Sequence, residues 1–445
     1  MSEHDAKKSY LDKVCSAVRW KQAHEAIRRE LSNHIEDQAE AFEADGFAPD
    51  EAIEKAVLEM GDAEEVGYGL DASYRPREVK GIAIPIAGLV LIGMICRIWV
   101  TNTPVDAKYI AAIIMGAICA FALYNVNLYK FAKYSGAVFI GGLAICFGLH
   151  LMALYGYYSF RFNNPIVYYA ACFSPALYAG LVYSMRNTGI KGLLLCGAAA
   201  GALCLLVLMI PSWTGILSVV VSYLIILTAA ISLGIFGPKR SMNYVYLVII
   251  YGGVLAIGII ALCSFSDFMR YRLTMMLNPE TDWLGSIIKG VVTNAKFIGA
   301  SDFIAHSMDQ SEMLGFFHDT RWDYLITLIL YKYGWLSVIA LLLVIGNFLL
   351  DGFLRAFKLN STLGKLLACG IMCAFTMQTL SYIVSNLGIF SCAPLPLPFI
   401  SIGNTALVIN LAMAGMLLSL LRTDGLYADA PSGKAKRLRI KFEWE

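Results

Sequence analysis

Ten long apolar runs are the feature that most limits how this chain of 445 residues can fold. An α-helix needs about 20 apolar residues to cross the hydrocarbon core of a bilayer. Because backbone groups in lipid must be hydrogen-bonded within the chain, such runs predict helices. The predicted spans are 81–100, 107–128, 135–157, 165–185, 191–211, 213–236, 243–264, 323–350, 365–388 and 401–421. The sequence therefore predicts an all-α fold, a polytopic membrane protein with ten transmembrane helices.

The composition agrees with this class of protein. Hydrophobic residues make up 58% of the chain and charged residues 15%, far from the fractions found in soluble domains. A net charge of +2 gives no electrostatic support for a nucleic-acid partner. The eleven cysteines form no CxxC motif and no cluster with histidine, and most lie in the apolar runs. We interpret them as packing residues.

The distribution of Lys and Arg among the loops predicts the orientation. An even number of spans places both termini on the same side of the membrane. Basic residues are concentrated in the loops after spans 2, 4, 6 and 8, for example Lys130, Arg186, Lys239 and Arg355. Since cytoplasmic loops carry the excess of positive charge, both termini are expected in the cytoplasm and the segment 265–322 outside the membrane.

Both ends of the chain are charged and are expected to lie outside the bilayer. We interpret residues 1–76 as a small cytosolic helical domain, 77–422 as the membrane domain and 423–445 as a basic cytosolic tail. In the first region, Gly46 is placed to stop one amphipathic helix and Pro49 to start another. The apolar positions at helical spacing are Ile27, Leu31, Ile35, Ala39 and Phe42, followed by Ile53, Val57 and Met60. This region is expected to form three or four helices.

The stretch FFHDTRWDYLITLILYKYGW, residues 316–335, joins a charged loop to the eighth span. Asp323 begins that span at its outer end, where the helix dipole and free backbone N–H groups favour a carboxylate. It is either a helix-capping or interfacial residue, or a group with a chemical role. Lys332 follows about 13.5 Å further along the helix and faces away from Asp323. A lysine inside a span is costly and typically marks a lined cavity or an ion pair.

A second unusual stretch, PLPFISIGNTALVIN at 396–410, leads into the last span. Pro396 and Pro398 fix φ and lack N–H donors, so the chain here is extended and is not a lipid-exposed helix. It either lines an aqueous cleft or forms a stiff turn between spans 9 and 10. Both interpretations predict an ordered outer loop.

Together these stretches resemble the SEDS family, the ten-span cell-wall proteins that include FtsW, RodA and SpoVE. The family's FLPExxTDFIFAVIGEELG is similar to FFHDTRWDYLITLILYKYG without a gap, and its PLPFISYGGSSLLAN is similar to PLPFISIGNTALVIN. Gln378, Asn386 and Gly388 resemble the family's Q…NxG, and Arg272 with LNP at 277–279 resembles the start of its large loop. Residues 1–76 resemble the helical prefix domain found ahead of some bacterial permeases.

The resemblance implies a peptidoglycan glycosyltransferase of the bacterial plasma membrane that acts in cell division, cell shape or sporulation. Such an enzyme polymerises lipid II with loss of undecaprenyl diphosphate, and a class B penicillin-binding transpeptidase is the expected partner. Asp323 matches the catalytic carboxylate, either as a general base or as the ligand of a divalent cation, and the sequence assigns no other cofactor. Arg272 and Arg321 are expected to contact the diphosphate or stabilise Asp323, or else to be interfacial anchors. The other expected substrate-binding residues are Asp319, Pro396, Pro398, Ser401 and Asn410.

The chain also departs from the family pattern. The glutamates eight and nine residues after the aspartate are replaced by Tyr331 and Lys332. In span 4 the family's FQPSE, with a lysine shortly after, becomes FSPAL at 173–177, and the proline of the loop motif is His318. Two alternatives therefore stand beside the enzyme: a non-catalytic SEDS-like scaffold that binds a transpeptidase or lipid II, and a transporter of a lipid-linked precursor or small molecule. Against the transporter, the sequence shows no clear internal repeat of the type many transporters use.

Overall fold

A computed structural model of the protein describes most of the chain. The described residues are 3–74, 77–131, 134–154, 165–209, 213–264, 274, 278, 282–304, 312–313, 315–316, 323–390, 393–401 and 403–424. Within these residues all regular secondary structure is helical, which confirms the predicted all-α fold. They divide into two compact units: residues up to Glu78 together with Arg422 to Asp424, and residues from Val79 to Leu421.

Four helices build the N-terminal unit. They are α1 (Glu3–Ala17), α2 (His24–Ala44), α3 (Pro49–Glu59) and α4 (Ala63–Ser73). Gly46, at φ +96°, follows α2, and Pro49 is the first residue of α3, so both predicted helix boundaries are confirmed. One apolar core holds the four helices together, and its most buried members include Val14, Val18, Ile27, Ile35, Ala52 and Ala56.

The linker after α4 is bonded to Arg422, the last residue of the last helix, and to Asp424, which follows it. The backbone N–H of Arg77 donates to the carbonyl of Arg422 at 3.0 Å, and its guanidinium donates to Asp424 at 2.8 Å. The Asp424 side chain is 0% exposed, whereas that of Arg77 is half exposed. These bonds make residues 422–424 part of a unit that is otherwise N-terminal.

Helices also build the membrane unit. In chain order they are α5 (Lys80–Ile95, continued by a π-helix over Cys96–Val100), α6 (Ala107–Asn125), α7 (Leu128–Phe131), α8 (Ser135–Leu154), α9 (Pro165–Ser184), α10 (Ile190–Met209), α11 (Trp213–Ser232), α12 (Arg240–Ser264), α13 (Trp283–Thr293), α14 (Leu325–Tyr333), α15 (Trp335–Phe357), α16 (Thr362–Asn386) and α17 (Asn404–Arg422). Within the described residues, a long helix lies at each of the ten predicted spans. Seven are long and apolar enough over their described residues to cross a membrane, and the others are α8, α9 and α12.

Helices α9, α11 and α16 pack closely against one another. A Cβ added to Gly370 in α16 would lie 2.7 Å from the carbonyl oxygen of Pro175 in α9, so these two backbones approach directly. Between α9 and α11, the rings of Tyr178 and Tyr223 stack with centroids 3.7 Å apart. In a membrane no hydrophobic effect drives helices together, so close approach at small residues supplies the van der Waals contact that holds them. The FSPAL segment of α9 is therefore part of the packed interior.

The eighth span begins later than the sequence predicted. Instead of one helix over 323–350, the structure has the short helix α14 and then the span α15, joined at Gly334. Gly334 has φ +84° and ψ −177°, a conformation that is essentially restricted to glycine. A Cβ there would lie 2.6 Å from the carbonyl oxygen of Lys296. The apolar run hid this break because hydropathy does not report backbone conformation.

A loop segment, residues 296–301, fills the break between α14 and α15. Four backbone hydrogen bonds of 2.8–3.1 Å join it to the chain around Gly334. They are Trp335 N–H to Lys296 O, Leu336 N–H to Phe297 O, Gly299 N–H to Tyr333 O and Ser301 N–H to Tyr331 O. The loop therefore satisfies backbone groups that two helix ends would otherwise leave without partners.

Candidate functional site

Asp323 lies two residues before α14, outside the helices that are long enough to span a membrane. Its side chain is exposed, and within the described residues its carboxylate makes no hydrogen bond or ion pair. Neighbouring protein atoms nevertheless displace part of its water, and this desolvation raises the pKa of the Asp323 carboxyl above its usual value. An accessible carboxylate that is more basic than usual is suited to accept a proton.

The start of α14 is capped by side chains of α16. The backbone N–H of Leu325 donates to the Tyr382 hydroxyl at 2.9 Å, and that of Thr327 donates to Asn386 Oδ1 at 3.1 Å. The residue at the N-cap position itself makes no side-chain capping bond. Tyr382 and Asn386 therefore fill the capping role that the sequence allowed for Asp323, and its carboxylate is left to face solvent.

Other helix ends gather near the carboxylate. Tyr169, close to the start of α9, hydrogen-bonds with Thr405 at the start of α17 and lies within range of the charge on Asp323. Tyr382, near the end of α16, also lies within that range. The starts of α9, α14 and α17 and the end of α16 thus meet on one side of the membrane unit, as the alternation of the predicted spans requires.

The PLPF stretch is packed into the protein. Pro398 and Phe399 are buried, and Pro396 is half-buried. The ring of Phe399 lies against Phe348 and Phe375, with centroid distances of 5.8 and 5.2 Å. Phe399 has φ +63°, which is costly for a bulky residue and is sustained here by the surrounding packing. These contacts favour the stiff-turn interpretation over a strand of chain that lines an open cleft.

The turn is held by the same end of α16 that caps α14. The backbone N–H of Leu395 donates to Ser381 Oγ at 3.2 Å, and Ser381 directly precedes Tyr382. On its other side the turn touches the first span, since a Cβ on Gly93 would lie 2.7 Å from the carbonyl oxygen of Phe399. Both stretches that carry the sequence resemblance are therefore attached to one segment, residues 381–386.

The remaining predicted site residues are not brought together around Asp323 by the described part of the chain. Ser401 and Asn410 are buried, and Asn410 Oδ1 has no hydrogen-bond partner among the described residues. The other three, Arg272, Asp319 and Arg321, lie outside the residues that the structure describes.

Lys332 is explained by a contact with the end of the first span. Its ammonium donates to the carbonyl oxygen of Val100 at 2.6 Å, at the last residue of the π-helix that follows α5. A cation is favoured there by the free carbonyl groups and by the negative end of the helix dipole. Nearby in the sequence, the buried Arg97 pairs with Asp106 at 3.0 Å. Among the described residues, Lys332 therefore anchors α14 and forms no ion pair, which was one of the two interpretations that the sequence allowed.

Sequence reasoning identified Asn386 only through its resemblance to a motif, and it missed Tyr382 and Thr327. A signal for Asn386 is present, because a carboxamide inside a span is costly unless it is hydrogen-bonded. No pattern in the sequence indicated that its partners would come from α14, since they are about 60 residues away in the chain. Only the packing of α14 against α16 reveals the pairing.

A divalent cation would find a limited set of ligands here. Within the described residues, no group of three or more His, Cys, Asp or Glu side chains could hold a metal ion. The oxygen atoms of Asp323 suit a hard cation as one ligand, which would need further oxygen ligands from substrate or water.

The fold and this site define a class: a multi-pass helical membrane protein with an exposed carboxylate before a short buried helix, beside a proline-containing turn. The sequence model of the FtsW, RodA and SpoVE family, described as "Cell cycle protein", matches residues 166–425, more than half of the chain. The chain belongs to this family, and the resemblance seen in its motifs is confirmed.

Curated relatives match a shorter part of the chain. The probable peptidoglycan glycosyltransferase FtsW of Trichlorobacter lovleyi is 28% identical over 167 residues, which are 36% of this chain and 42% of the relative. The peptidoglycan glycosyltransferase MrdB of Escherichia coli is 25% identical over 158 residues, 35% of this chain and 42% of the relative. The chain thus matches less than half the length of these relatives.

Solved structures extend the likeness of the fold over most of the chain. One chain of a peptidoglycan synthase complex matches with a TM-score of 0.56 and 18% identity, covering 77% of this chain and 97% of its own length. RodA of Thermus thermophilus matches with a TM-score of 0.51 and 16% identity, covering 77% of this chain and 96% of its own length. At this identity the likeness shows the fold, a multi-pass bacterial membrane protein.

Proposed function

We propose that this protein is a peptidoglycan glycosyltransferase that polymerises lipid II at the outer face of the plasma membrane, with Asp323 as its catalytic carboxylate. The observation that carries the proposal is that the Asp323 carboxylate is exposed and has no structural role among the described residues. Asp323 lies in the region that matches the family, its carboxylate makes no bond within the described residues, and α16 has taken over the capping of α14. The relatives named as peptidoglycan glycosyltransferases support the substrate class.

The reaction gives Asp323 a defined proton to accept. The hydroxyl of the acceptor sugar attacks the anomeric carbon of the donor, and its proton passes to the Asp323 carboxylate. As the new glycosidic bond forms, the bond from the anomeric carbon to the diphosphate breaks, and undecaprenyl diphosphate leaves. A general base typically contributes about 10²–10⁴-fold in rate. Partial desolvation supports this role, because it raises the pKa of Asp323 towards the pH at which the enzyme works.

A divalent cation is the alternative to the general-base role, and Asp323 is the described residue that would then hold it instead of accepting the proton. When bound, such a cation would neutralise charge on the departing diphosphate. Arg272 and Arg321 would serve the same diphosphate through bidentate hydrogen bonds. Polymerisation by purified protein with added chelator tests the cation, since full activity in excess chelator would contradict it.

The reaction requires the orientation that the sequence predicts, with both termini in the cytoplasm and Asp323 outside. The positive charge of the loops after spans 2, 4, 6 and 8 motivates this orientation. Cysteine labelling in intact cells tests it with Ser32→Cys, in the N-terminal unit, and Ser286→Cys, on the exposed part of α13. A membrane-impermeant reagent should label only the second variant. Labelling of Ser32→Cys from outside would overturn the orientation.

We also propose a transpeptidase of the class B penicillin-binding type as the partner. One structural neighbour comes from a complex described as coordinating polymerisation and crosslinking, which supports a partner of this kind. A non-catalytic scaffold for such a partner is the second candidate function, and the observation that favours it is the replacement of two family glutamates by Tyr331 and Lys332. In this structure the Lys332 side chain and the backbone carbonyl of Tyr331 both anchor α14.

Asp323→Asn tests the proposed function. In purified full-length protein supplied with lipid II, we expect wild type to polymerise and the variant to lose about 10²–10⁴-fold in rate. Folding should be intact, because partial desolvation raises the pKa of Asp323 in the folded state, so ionisation of this carboxyl as the pH rises destabilises that state. At pH 7 the variant should melt at the same or a higher temperature than wild type.

Asp302→Asn is the matched control, because Asp302 is an exposed aspartate of the outer loop that pairs with Lys296. It should polymerise at the wild-type rate. Equal rates for wild type and Asp323→Asn would exclude Asp323 as the catalytic group. An inactive wild type that still binds a transpeptidase would favour the scaffold instead, and transport of a lipid-linked precursor without polymerisation would favour the transporter.

A further inference from the structure

We propose that Asn386 and Tyr382 are positioning residues, which hold the backbone at Asp323 by capping α14 from a neighbouring helix. This inference rests on the proposed function, because it concerns the same carboxylate. Neither residue is assigned a contact with substrate. Their role would be to fix where Asp323 stands relative to the reacting hydroxyl.

The Asn386 side chain is fully used in this arrangement. Its Nδ2 donates to the carbonyl oxygen of Asp323 at 3.0 Å and to that of Tyr382 at 2.9 Å. Its Oδ1 accepts the backbone N–H of Thr327 at 3.1 Å. One carboxamide thus bridges the residue that carries the catalytic group and the first turn of α14. At 0% exposure, Asn386 has no competing water, so these bonds determine the local geometry.

Two further bonds complete the connection between the helices. The hydroxyl of Tyr382 accepts the backbone N–H of Leu325 at 2.9 Å. The hydroxyl of Thr327 donates to the backbone carbonyl of Asn386 at 2.8 Å. The positive end of α14 therefore meets the negative end of α16, and the backbone on either side of Tyr324 is bonded to α16. Asp323 has little freedom to move away from α16 while these bonds persist.

The end of α16 is itself built to present Asn386. Gly388 has φ +65°, its N–H donates to Ser385 O at 3.2 Å, and the N–H of Ile389 donates to Val384 O at 3.1 Å. This pair of bonds is the Schellman motif, which ends a helix at a glycine. It satisfies carbonyl groups of the last turn but leaves the carbonyl of Asn386 for Thr327. The spacing of Asn386 and Gly388 in the sequence therefore has a physical reason.

The position of the carboxylate matters for this reaction because it must be aligned with the acceptor hydroxyl at the moment when that hydroxyl attacks the anomeric carbon. A misplacement of about 1 Å in an active site can cost about 10²-fold in rate. Without the cap, the N–H groups of Leu325 and Thr327 would seek water, and the start of α14 would fray. Asp323 would then be better hydrated and less well aligned with the acceptor hydroxyl.

The experiment compares three variants of the full-length protein in the lipid II polymerisation assay. Tyr382→Phe removes one accepting hydroxyl at nearly constant volume, and Asn386→Ala removes the whole bridge. Thr379→Val is the matched control, because Thr379 is a buried residue of α16 whose hydroxyl donates to Phe375 O of its own helix. We expect kcat to fall about 3–10-fold in Tyr382→Phe and about 10–100-fold in Asn386→Ala. KM should stay within about threefold of wild type, and the control should be active at the wild-type rate.

The split between kcat and KM separates positioning from a general loss of folded protein. A variant that only folds less well leaves fewer active molecules, each with wild-type kcat and KM. A misaligned carboxylate instead lowers kcat in every folded molecule and leaves KM nearly unchanged. Rates are therefore normalised to the amount of folded protein.

Each outcome decides the proposal. Unchanged kcat in both variants, beside an inactive Asp323→Asn, would overturn the positioning role and leave the proposed function standing. A fall in activity that only follows the amount of folded protein, with kcat and KM of the folded molecules unchanged, would also overturn it. If Asn386→Ala fails to fold, Tyr382→Phe decides alone. An inactive wild type would overturn both the proposed function and the positioning role. This outcome is seen in the wild-type assay alone, before any variant is compared.

Discussion

Helices α16 and α6 are both predicted as membrane spans and are both long and apolar enough to cross a membrane, yet their surroundings differ. In α16, 72% of the most apolar 18-residue window is buried inside the protein, whereas in α6 the corresponding share is 17%. The buried helix is the less apolar of the two. It carries polar residues that a lipid-facing helix would avoid, and these include Gln378, Thr379, Ser381, Ser385 and Asn386.

The difference teaches that hydropathy identifies a membrane span but does not locate it within the bundle. Lipid tails are as apolar as leucine, so a helix at the periphery has no need of polar groups. A helix surrounded by protein can use polar groups to bond its neighbours. The capping of α14 and the attachment of the PLPF turn are both examples, and both use the same end of α16.

The largest expected effect is a loss of stability on replacing Gly334, the packed glycine between α14 and α15, compared with Gly299, a glycine with open space around it. Gly334→Ala should strongly reduce the amount of folded protein, since its conformation costs about 1–3 kcal/mol for alanine. Its Cβ would also lie 2.6 Å from Lys296 O, and overpacking costs a further amount of about 1–3 kcal/mol. The yield and melting temperature of the purified variant measure the loss.

Gly299→Ala is the comparison variant for Gly334→Ala. Gly299 also has a positive φ, of +95°, but no atom lies within 4 Å of the position of an added Cβ. Its loss should reflect backbone strain alone and be clearly smaller. Equal losses would show that the contact with the 296–301 segment does not determine the break in the eighth span.

A smaller effect should distinguish α16 from α6 directly, through the same substitution in both helices. Ile371 in α16 is 0% exposed and Ile118 in α6 is 58% exposed. Ile371→Ala creates a cavity and should cost about 2–5 kcal/mol, whereas Ile118→Ala should remain within about 0.5 kcal/mol of wild type. Reversible unfolding in mixed detergent, or the melting temperature in one detergent, provides the measurement. Similar losses in both variants would mean that α6 is covered by protein, as in a dimer or a complex.

The sequence by itself determined the class and the all-α fold, and it located a long helix at each predicted span, because the length and apolar character of a membrane helix follow from the thickness of the bilayer. It also determined the helix boundaries at Gly46 and Pro49, where local backbone preferences are strong enough to decide. Asp323 could be chosen from its place at the end of a charged loop and from its resemblance to a family motif. These are properties of short stretches, and they can be read from the stretch alone.

The tertiary structure decided what lies across the bundle. Gly334 breaks an apolar run because the 296–301 segment passes beside it, and Lys332 bonds to Val100, which is 232 residues earlier in the chain. Asp323 is left without a capping role because Asn386, 63 residues later, takes that role instead. Such pairings depend on which helices are neighbours. Because lipid and protein interior are equally apolar, hydropathy does not indicate which helices are neighbours. Only the packing between the helices reveals the hydrogen bonds that hold the proposed catalytic carboxylate in place.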